Sequence, residues 1–333
     1  MERRADVMVT LSLFDTIDGR EAQLARLETA GYSVRVHSVP RSLSEEEVAA
    51  FLPGVRAWIA GTDRFSRKAL AAADRLEVIS RWGVGYDAVD VAACDERGIA
   101  VAIAAGGNDG AVAEFALAMV FALARQVVWA HDVIRERTWE RTRIGGISPL
   151  GKILGIVGLG RIGLRLARLA LALGMHVQYY DPLGAVAPND LEARFTSIDE
   201  LLATSDFISL HVPLSAQTEH LISTRELNLM KPTAYLVNTS RGPVIDEAAL
   251  YAALRDRRIG GAALDVFEKE PIDPNHPLFR IESQRLILTP HIAGLNAESK
   301  TAMLRIAVDN VLAVLGGKLP PSVVNRPRLA AIS

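Results

Sequence analysis

The sequence predicts an α/β protein built on parallel sheets with helices on both faces. Three observations carry the prediction. Short apolar runs recur along the chain, and stretches of helical spacing separate them; strand and helix in turn imply parallel pairing. One such run, Ile153–Val157, leads directly into Gly158-Leu-Gly160-Arg-Ile-Gly163 and a helical stretch. The chain has 333 residues, half of them hydrophobic, which suits about two domains with a core in each.

The elements follow in order. Residues 7–11 read as a strand and 19–30 as a helix with Leu24 and Leu27 inward. Residues 33–37 are a strand, and 44–51 a helix opened by a serine cap and three glutamates. Strand 57–60, helix 66–73 and strand 76–80 lead to Arg81-Trp-Gly-Val-Gly-Tyr-Asp87, then a short helix over 89–97 and a strand over 99–102. Residues 104–107, small and glycine-containing, suit a hinge. Residues 109–130 predict one long helix, apolar nearly all round and so buried in a core or a subunit interface. The segment 131–147 is charged and contains Trp139; Gly145, Gly146 and Pro149 break the chain before the strand at 153.

The stretch 150–181 is where the sequence speaks most clearly. After the strand, Gly158 allows a tight turn, Gly160 lets a diphosphate approach the backbone, and Gly163 lets the next helix pack on the strand. The helix start offers unpaired N–H groups and a positive dipole end. Strand 176–180 then ends in Asp181, about where a carboxylate accepts from an adenosine ribose. Together these parts predict a dinucleotide-binding unit.

Alternation resumes beyond Asp181. Strand 207–210 ends at His211-Val-Pro, and 234–237 at Asn238-Thr-Ser-Arg-Gly242. Strand 261–264 ends at Asp265, and 286–288 at Thr289-Pro-His291. Helices are read at 223–229, 246–256 and 297–315. Parallel strands bring all these ends to one sheet edge, beside the glycine-rich turn. That edge suits hydride transfer to a carbonyl. His291 is the natural acid/base, and Arg241 can grip a carboxylate with two parallel hydrogen bonds. Either Glu270 or Asp265 can orient the imidazole. His211 stands at a strand end but precedes a proline; the other five histidines read as surface or core-edge residues.

Composition narrows the class. Lysine plus arginine total 37 against 39 aspartate plus glutamate. This near-neutral balance argues against electrostatic binding of nucleic acid or an anionic membrane. The single cysteine, Cys94, excludes an internal disulfide framework and fits a reducing compartment. No apolar run reaches the length of a membrane span. Residues 7–14 are followed by Asp15 and Asp18 rather than a cleavage site, so they read as a strand and not a signal. A cytoplasmic location is expected.

Over Arg81–Asp90, Leu150–Gly163, Asn238-Thr-Ser-Arg-Gly, Leu264-Asp-Val-Phe-Glu-Lys-Glu-Pro271 and Thr289-Pro-His-Ile-Ala-Gly294, the chain resembles the NAD-dependent D-isomer 2-hydroxyacid dehydrogenases. This group includes phosphoglycerate dehydrogenases and glyoxylate/hydroxypyruvate reductases. The resemblance implies catalytic roles for Arg241, Glu270 and His291, with Glu270 as the histidine's partner. It implies NAD contacts at Gly158, Gly160, Arg161, Ile162, Gly163, Asp181, Val212, Pro213, Thr239, Ser240, Arg241, Asp265, His291, Ala293 and Gly294. It implies a substrate site of Gly83, Val84 and Gly85 amides, with Arg241 and His291; Arg81 is a candidate further cation. No metal is expected. The implied architecture is a Rossmann dinucleotide domain over 105–296 inserted into a flavodoxin-like substrate domain of residues 1–104 and 297–333. The resemblance also implies a homodimer through a helical arm near 109–145.

The substrate expected is a small 2-keto or 2-hydroxy acid with an uncharged tail, such as glyoxylate or hydroxypyruvate. The turn Ala60-Gly61-Thr62-Asp63 lacks a basic residue for a phosphate, and Trp82 is bulky. The alternative is 3-phosphoglycerate. A reading of another class is an NAD(H)-responsive corepressor-like binding protein, since such relatives can keep the same triad. Formate dehydrogenase is disfavoured by Glu270.

Overall fold

The computed structural model describes residues 6–139 and 141–325. The ends of the predicted substrate domain, residues 1–5 and 326–333, and Glu140 of the predicted arm lie outside them. In chain order the first elements are β1 (Val7–Thr10), α1 (Arg20–Thr29), β2 (Val34–Val36), α2 (Glu45–Phe51), β3 (Ala57–Ala60), α3 (Arg67–Leu70), β4 (Val78–Arg81), α4 (Val91–Glu96) and β5 (Ala100–Ala102). Then come α5 (Asp109–Ala124), α6 (Val127–Arg135), β6 (Ile153–Val157), α7 (Arg161–Ala172), β7 (His176–Tyr180), β8 (Ala193–Phe195), α8 (Ile198–Thr204) and β9 (Phe207–Leu210). The rest are α9 (Thr224–Leu229), β10 (Tyr235–Asn238), α10 (Glu247–Arg255), β11 (Gly261–Leu264), β12 (Leu286–Leu288) and α11 (Ala297–Leu315). The chain forms two compact units: Met1–Asn108 with Leu295–Ser333, and Asp109–Gly294.

In the first unit the strands run parallel in the order β2-β1-β3-β4-β5, the flavodoxin-like order. Alternate residues face opposite sides, as strand geometry requires. Val7, Val9 and Ile59 pack with Leu304, Val308 and Val311 of α11, while Met8, Trp58 and Ile79 pack with Val48 and Leu70. Helix α11 is tied in by Ser80 Oγ donating to the Ala307 carbonyl at 3.0 Å and Asn310 Nδ2 to the Ile103 carbonyl at 3.1 Å.

In the second unit seven parallel strands run β12-β11-β10-β9-β6-β7-β8. The chain starts in the middle at β6, moves outward to β8, then returns to lay β9 on the other side of β6. This is the doubly wound Rossmann order, with its switch point between β6 and β9. Buried apolar side chains cover both faces, which is why its strands read as continuous apolar runs.

The long helix predicted over 109–130 is two helices, bent by 62°. Gln126 sits between them at φ 53°. The cause lies in a distant segment. The Ile147 amide donates to the Ala124 carbonyl at 2.7 Å, and the Gly145 amide donates to Gln126 Oε1 at 3.0 Å. The carbonyl that would have continued the helix is thus used elsewhere. Two further elements went unread. β8 is a three-residue edge strand, too short for a pattern. α8 does carry a signal, since Ser197 caps it by accepting from the Glu200 amide at 3.2 Å. No single helix among the described residues is long and apolar enough to cross a membrane.

Candidate active site

The register of the second sheet fixes where its strand ends fall. Tyr180 pairs with Val157, Val157 with Leu210, Leu210 with Asn238, Asn238 with Leu264, and Leu264 with Leu288. These six residues form one row. The residues that follow them, Asp181, Gly158, His211, Thr239, Asp265 and Thr289, therefore form the next row, at the carboxyl edge.

At the switch point Gly158 stands at φ 98°, and a Cβ there would lie 2.7 Å from the His211 carbonyl carbon. A Cβ on Gly163 would lie 2.2 Å from the Gly158 carbonyl oxygen, so only glycine lets α7 start this close to β6. Gly160 is the N-cap of α7, makes no side-chain cap, and has open space where its Cβ would be. The first amides of a twelve-residue helix thus keep their donors for an anion. Asp181 accepts from the amides of Leu159 at 2.8 Å, Leu183 at 2.8 Å and Ala185 at 3.3 Å. Four lone-pair sites leave room for a further donor, so the carboxylate both shapes the turn and suits a ribose hydroxyl. These residues fit a dinucleotide. Arg161 Nε pairs with the buried Asp109 carboxylate at 2.5 Å. Val212 is buried, and Thr218 Oγ1 holds the Pro213 carbonyl at 2.6 Å. Thr239 Oγ1 is buried with no partner among the described residues.

The loop after β10 is folded by Asn238. Its Oδ1 accepts from the amide of Ser240 at 3.0 Å and from its hydroxyl at 2.8 Å, and its Nδ2 donates to the Arg241 carbonyl at 2.9 Å. The Asx-turn signal of Asn followed two positions later by Ser was there to be read. Arg241 Nη1 donates to the Ser240 carbonyl at 2.7 Å.

The two carboxylates left open by the strand ends separate clearly. Asp265, 1% exposed, spends its oxygens on the loop after β12. It accepts from Thr289 Oγ1 at 2.6 Å, the Ile292 amide at 2.9 Å and the Ala293 amide at 2.8 Å. His291, at φ 53°, donates its amide to the Asp265 carbonyl at 2.8 Å. Its ring Nδ1 meets Glu270 Oε2 at 2.7 Å. Glu270 Oε1 accepts from the Phe267 amide at 3.1 Å. Burial pushes the Glu270 carboxyl up, but the hydrogen bond and charge of His291, the Phe267 amide and the charge of Arg241 outweigh it and hold it below the usual carboxylate range. Glu270 thus orients the imidazole, while Asp265 orients the loop that bears it.

His211 is different from His291. Its Nε2 meets Ser209 Oγ at 2.9 Å, its Nδ1 has no partner among the described residues, and burial pushes its imidazole down to about 4. It is neutral at pH 7 and part of the scaffold. No cluster of His, Cys, Asp and Glu that could hold a metal occurs among the described residues.

In the first unit, Arg81 ends β4 and is 4% exposed. Its Nε donates to the Gly85 carbonyl at 3.0 Å and its Nη1 to the Ala60 carbonyl at 3.4 Å. Gly83, at φ 150°, and its neighbours Val84 and Gly85 are partly exposed. Trp82 Nε1 donates to the Lys300 carbonyl at 3.1 Å.

The family described as D-isomer specific 2-hydroxyacid dehydrogenase, NAD binding domain, matches residues 117–293. A glyoxylate reductase of Thermofilum pendens is 42% identical over 274 residues, 80% of this chain and 79% of that protein. An (S)-sulfolactate dehydrogenase of Chromohalobacter salexigens is 44% identical over 268 residues, 79% of this chain and 85% of that protein. The crystal structure of D-lactate dehydrogenase from Aquifex aeolicus, complexed with NAD and lactic acid, matches with a TM-score of 0.81 at 29% identity, covering 93% of this chain and 96% of that one. The glycine-rich switch point, the strand-end row and these relatives converge: the chain belongs to the D-isomer specific 2-hydroxyacid dehydrogenase family and carries that family's NAD-binding domain.

Proposed function

We propose that this chain interconverts a small D-2-hydroxy acid and its 2-keto acid, with glyoxylate or hydroxypyruvate as the keto acid. The observation that carries the reading is the 2.7 Å contact of Glu270 with His291, in the same strand-end region as Arg241 and the glycine-rich turn. Bound at that turn, the cofactor would supply the hydride as NADH and accept it as NAD in reverse. Glu270 holds Nδ1 of His291, which leaves Nε2 to give a proton to the carbonyl oxygen and to take it back from the hydroxyl in reverse. Arg241 binds the substrate carboxylate and polarises the carbonyl. The amides of Gly83, Val84 and Gly85 bind the carboxylate as a nest. Asp181, already bonded to three amides, disfavours the extra phosphate of NADP.

The small tail is supported by Arg81. Its guanidinium is buried and holds the Gly85 and Ala60 carbonyls, so it shapes the nest. The sulfolactate relative favours a second reading, an acid with an anionic tail, of which 3-phosphoglycerate is the case expected from sequence. A homodimer through the 109–145 arm is part of the proposal. It is supported by apolar side chains exposed there: Val127, Ile134 and, at 76%, Trp139. A cytoplasmic location is supported by the lone thiol of Cys94, buried and pushed up to about 12.

The test is kcat/KM with NADH for glyoxylate, hydroxypyruvate and 2-ketoglutarate, and with NAD for 3-phosphoglycerate, on wild type and Arg81→Ala. The expected order puts glyoxylate or hydroxypyruvate first. A strong preference for the phosphorylated acid, lost in Arg81→Ala, would overturn the small-tail choice. No turnover of any acid would favour the corepressor-like binding protein.

A further inference from the structure

The loop bearing Arg241 and the loop bearing Glu270 touch through bare backbone. A Cβ on Gly242 would lie 1.8 Å from the carbonyl carbon of Phe267 and 2.4 Å from the Glu268 nitrogen. Beside this contact two glutamates exchange hydrogen bonds. The Glu268 amide donates to Glu247 Oε1 at 2.8 Å, and the Glu247 amide donates to Glu268 Oε1 at 3.0 Å. Glu247 is the first residue of α10, which the Arg241 loop enters after Asp246. Its side chain is almost wholly buried, and burial pushes its carboxyl up.

A histidine stands on each glutamate. His276 Nε2 lies 3.2 Å from Glu247 Oε2, and His276 Nδ1 accepts from the Leu278 amide, so Nε2 carries the proton. His220 Nε2 lies 3.2 Å from Glu268 Oε1, and the His220 amide donates to the Pro243 carbonyl at 2.7 Å. The Glu268 side chain thus bridges its own turn, the start of α10 and the segment beside Pro243. In that same turn the Phe267 amide holds Glu270 Oε1.

We propose that Glu268 is a positioning residue, which sets Glu270 against His291 by fixing the Glu270 turn to the end of the Arg241 loop. The inference rests on the reading that Glu270 works through His291. Removing the Glu268 carboxylate leaves the Glu247 amide without its acceptor and frees the turn to shift. Glutamine keeps the acceptor oxygen and the shape.

The experiment measures kcat for glyoxylate reduction with NADH in Glu268→Ala, Glu268→Gln, Glu270→Gln and the double variant Glu268→Ala/Glu270→Gln. One lost hydrogen bond to a charged group predicts a drop of about tenfold in Glu268→Ala. Glu268→Gln should stay within about threefold of wild type, since the amide oxygen still accepts. Affinity for NADH, read by fluorescence, should be unchanged in all four. In the Glu270→Gln background, Glu268→Ala should add less than about twofold, because residues acting as one unit are not additive. The inference is overturned if Glu268→Ala matches wild type, if Glu268→Gln is as poor as Glu268→Ala, or if the full effect persists without Glu270, which would mark a role in stability alone. An unchanged kcat in Glu270→Gln would instead overturn the reading beneath it.

Discussion

At the strand ends of the second unit stand Asp181, His211, Arg241, Asp265 and His291; at those of the first stand Thr10, Gly61 and Arg81 with the glycines after it. Both sheets are parallel, both are covered on two faces, and both leave polar groups at the carboxyl edge. The polar groups are spent differently. In the first unit Thr10 Oγ1 bonds to Asp63, and Trp58 Nε1 donates to Thr10 Oγ1 at 2.6 Å. Asp63 also takes the Leu43 amide at 2.8 Å. Burial pushes the Asp63 carboxyl up, against these hydrogen bonds and the charge of Arg81. The ionisable residues there shape backbone. In the second unit Asp181 and Asp265 are likewise spent on loops, but Glu270 is spent on a histidine ring. The same architecture thus leaves partly exposed glycines in one case and a paired carboxylate and imidazole in the other, and the residues that differ are a handful after the strands.

The largest break in that contrast is His291→Ala. If the acid/base sits only at the second sheet, kcat for keto-acid reduction should fall by about 10²–10⁴. Steady-state rates at saturating NADH measure it. Arg241→Lys comes next. Lysine keeps the charge but loses the two-pronged grip, so kcat/KM for the keto acid should fall by about 10–100-fold, with the KM for NADH little changed. Third is the cofactor. Asp181→Ala removes the carboxylate that three amides share and that the proposal gives to a ribose hydroxyl, so the preference for NADH over NADPH should shrink by about tenfold. The ratio of kcat/KM for the two cofactors reads this, and an unchanged ratio would place the discrimination elsewhere.

The smallest effect concerns His211, which sharpens the split between scaffold and chemistry. Its folded value of about 4 lies below the ordinary imidazole value, near 6.5. Between those limits the unfolded chain binds a proton that the folded chain does not. The associated stability is therefore intact above about pH 6.5 and is lost as pH falls towards 4. Comparing Tm at pH 7 and pH 5, wild type should fall further than His211→Gln, by a few degrees. Equal falls would show that the ring is not held neutral.

How much of this was legible follows from what each feature depends on. Strand ends were legible because parallel strands must deliver them to one edge, and the row from Tyr180 to Leu288 confirms that they are in register. The turn at Gly158 was legible because Gly158 and Gly163 each answer a local steric demand, while Gly160 leaves the helix start open. The break at Gln126 was not, because what ends α5 is a segment twenty-three residues beyond Ala124, at Ile147. The choice between Asp265 and Glu270 was not legible from spacing either. Asp265 is the residue at the strand end, yet the loop after β12 folds back over its carboxylate and turns the ring of His291 towards Glu270. The bare contact of Gly242 on Phe267 lies between residues twenty-five apart, and no periodicity reports it.

The central claim is that the second sheet's edge does proton chemistry through the contact of Glu270 with His291. Its most direct test is the pH dependence of glyoxylate reduction with NADH, in wild type and Glu270→Gln. If the carboxylate holds on His291 the proton that the carbonyl receives, the glutamine variant should lose its high-pH activity first, and its alkaline limb should move to lower pH. Superimposable profiles for the two proteins would contradict the account.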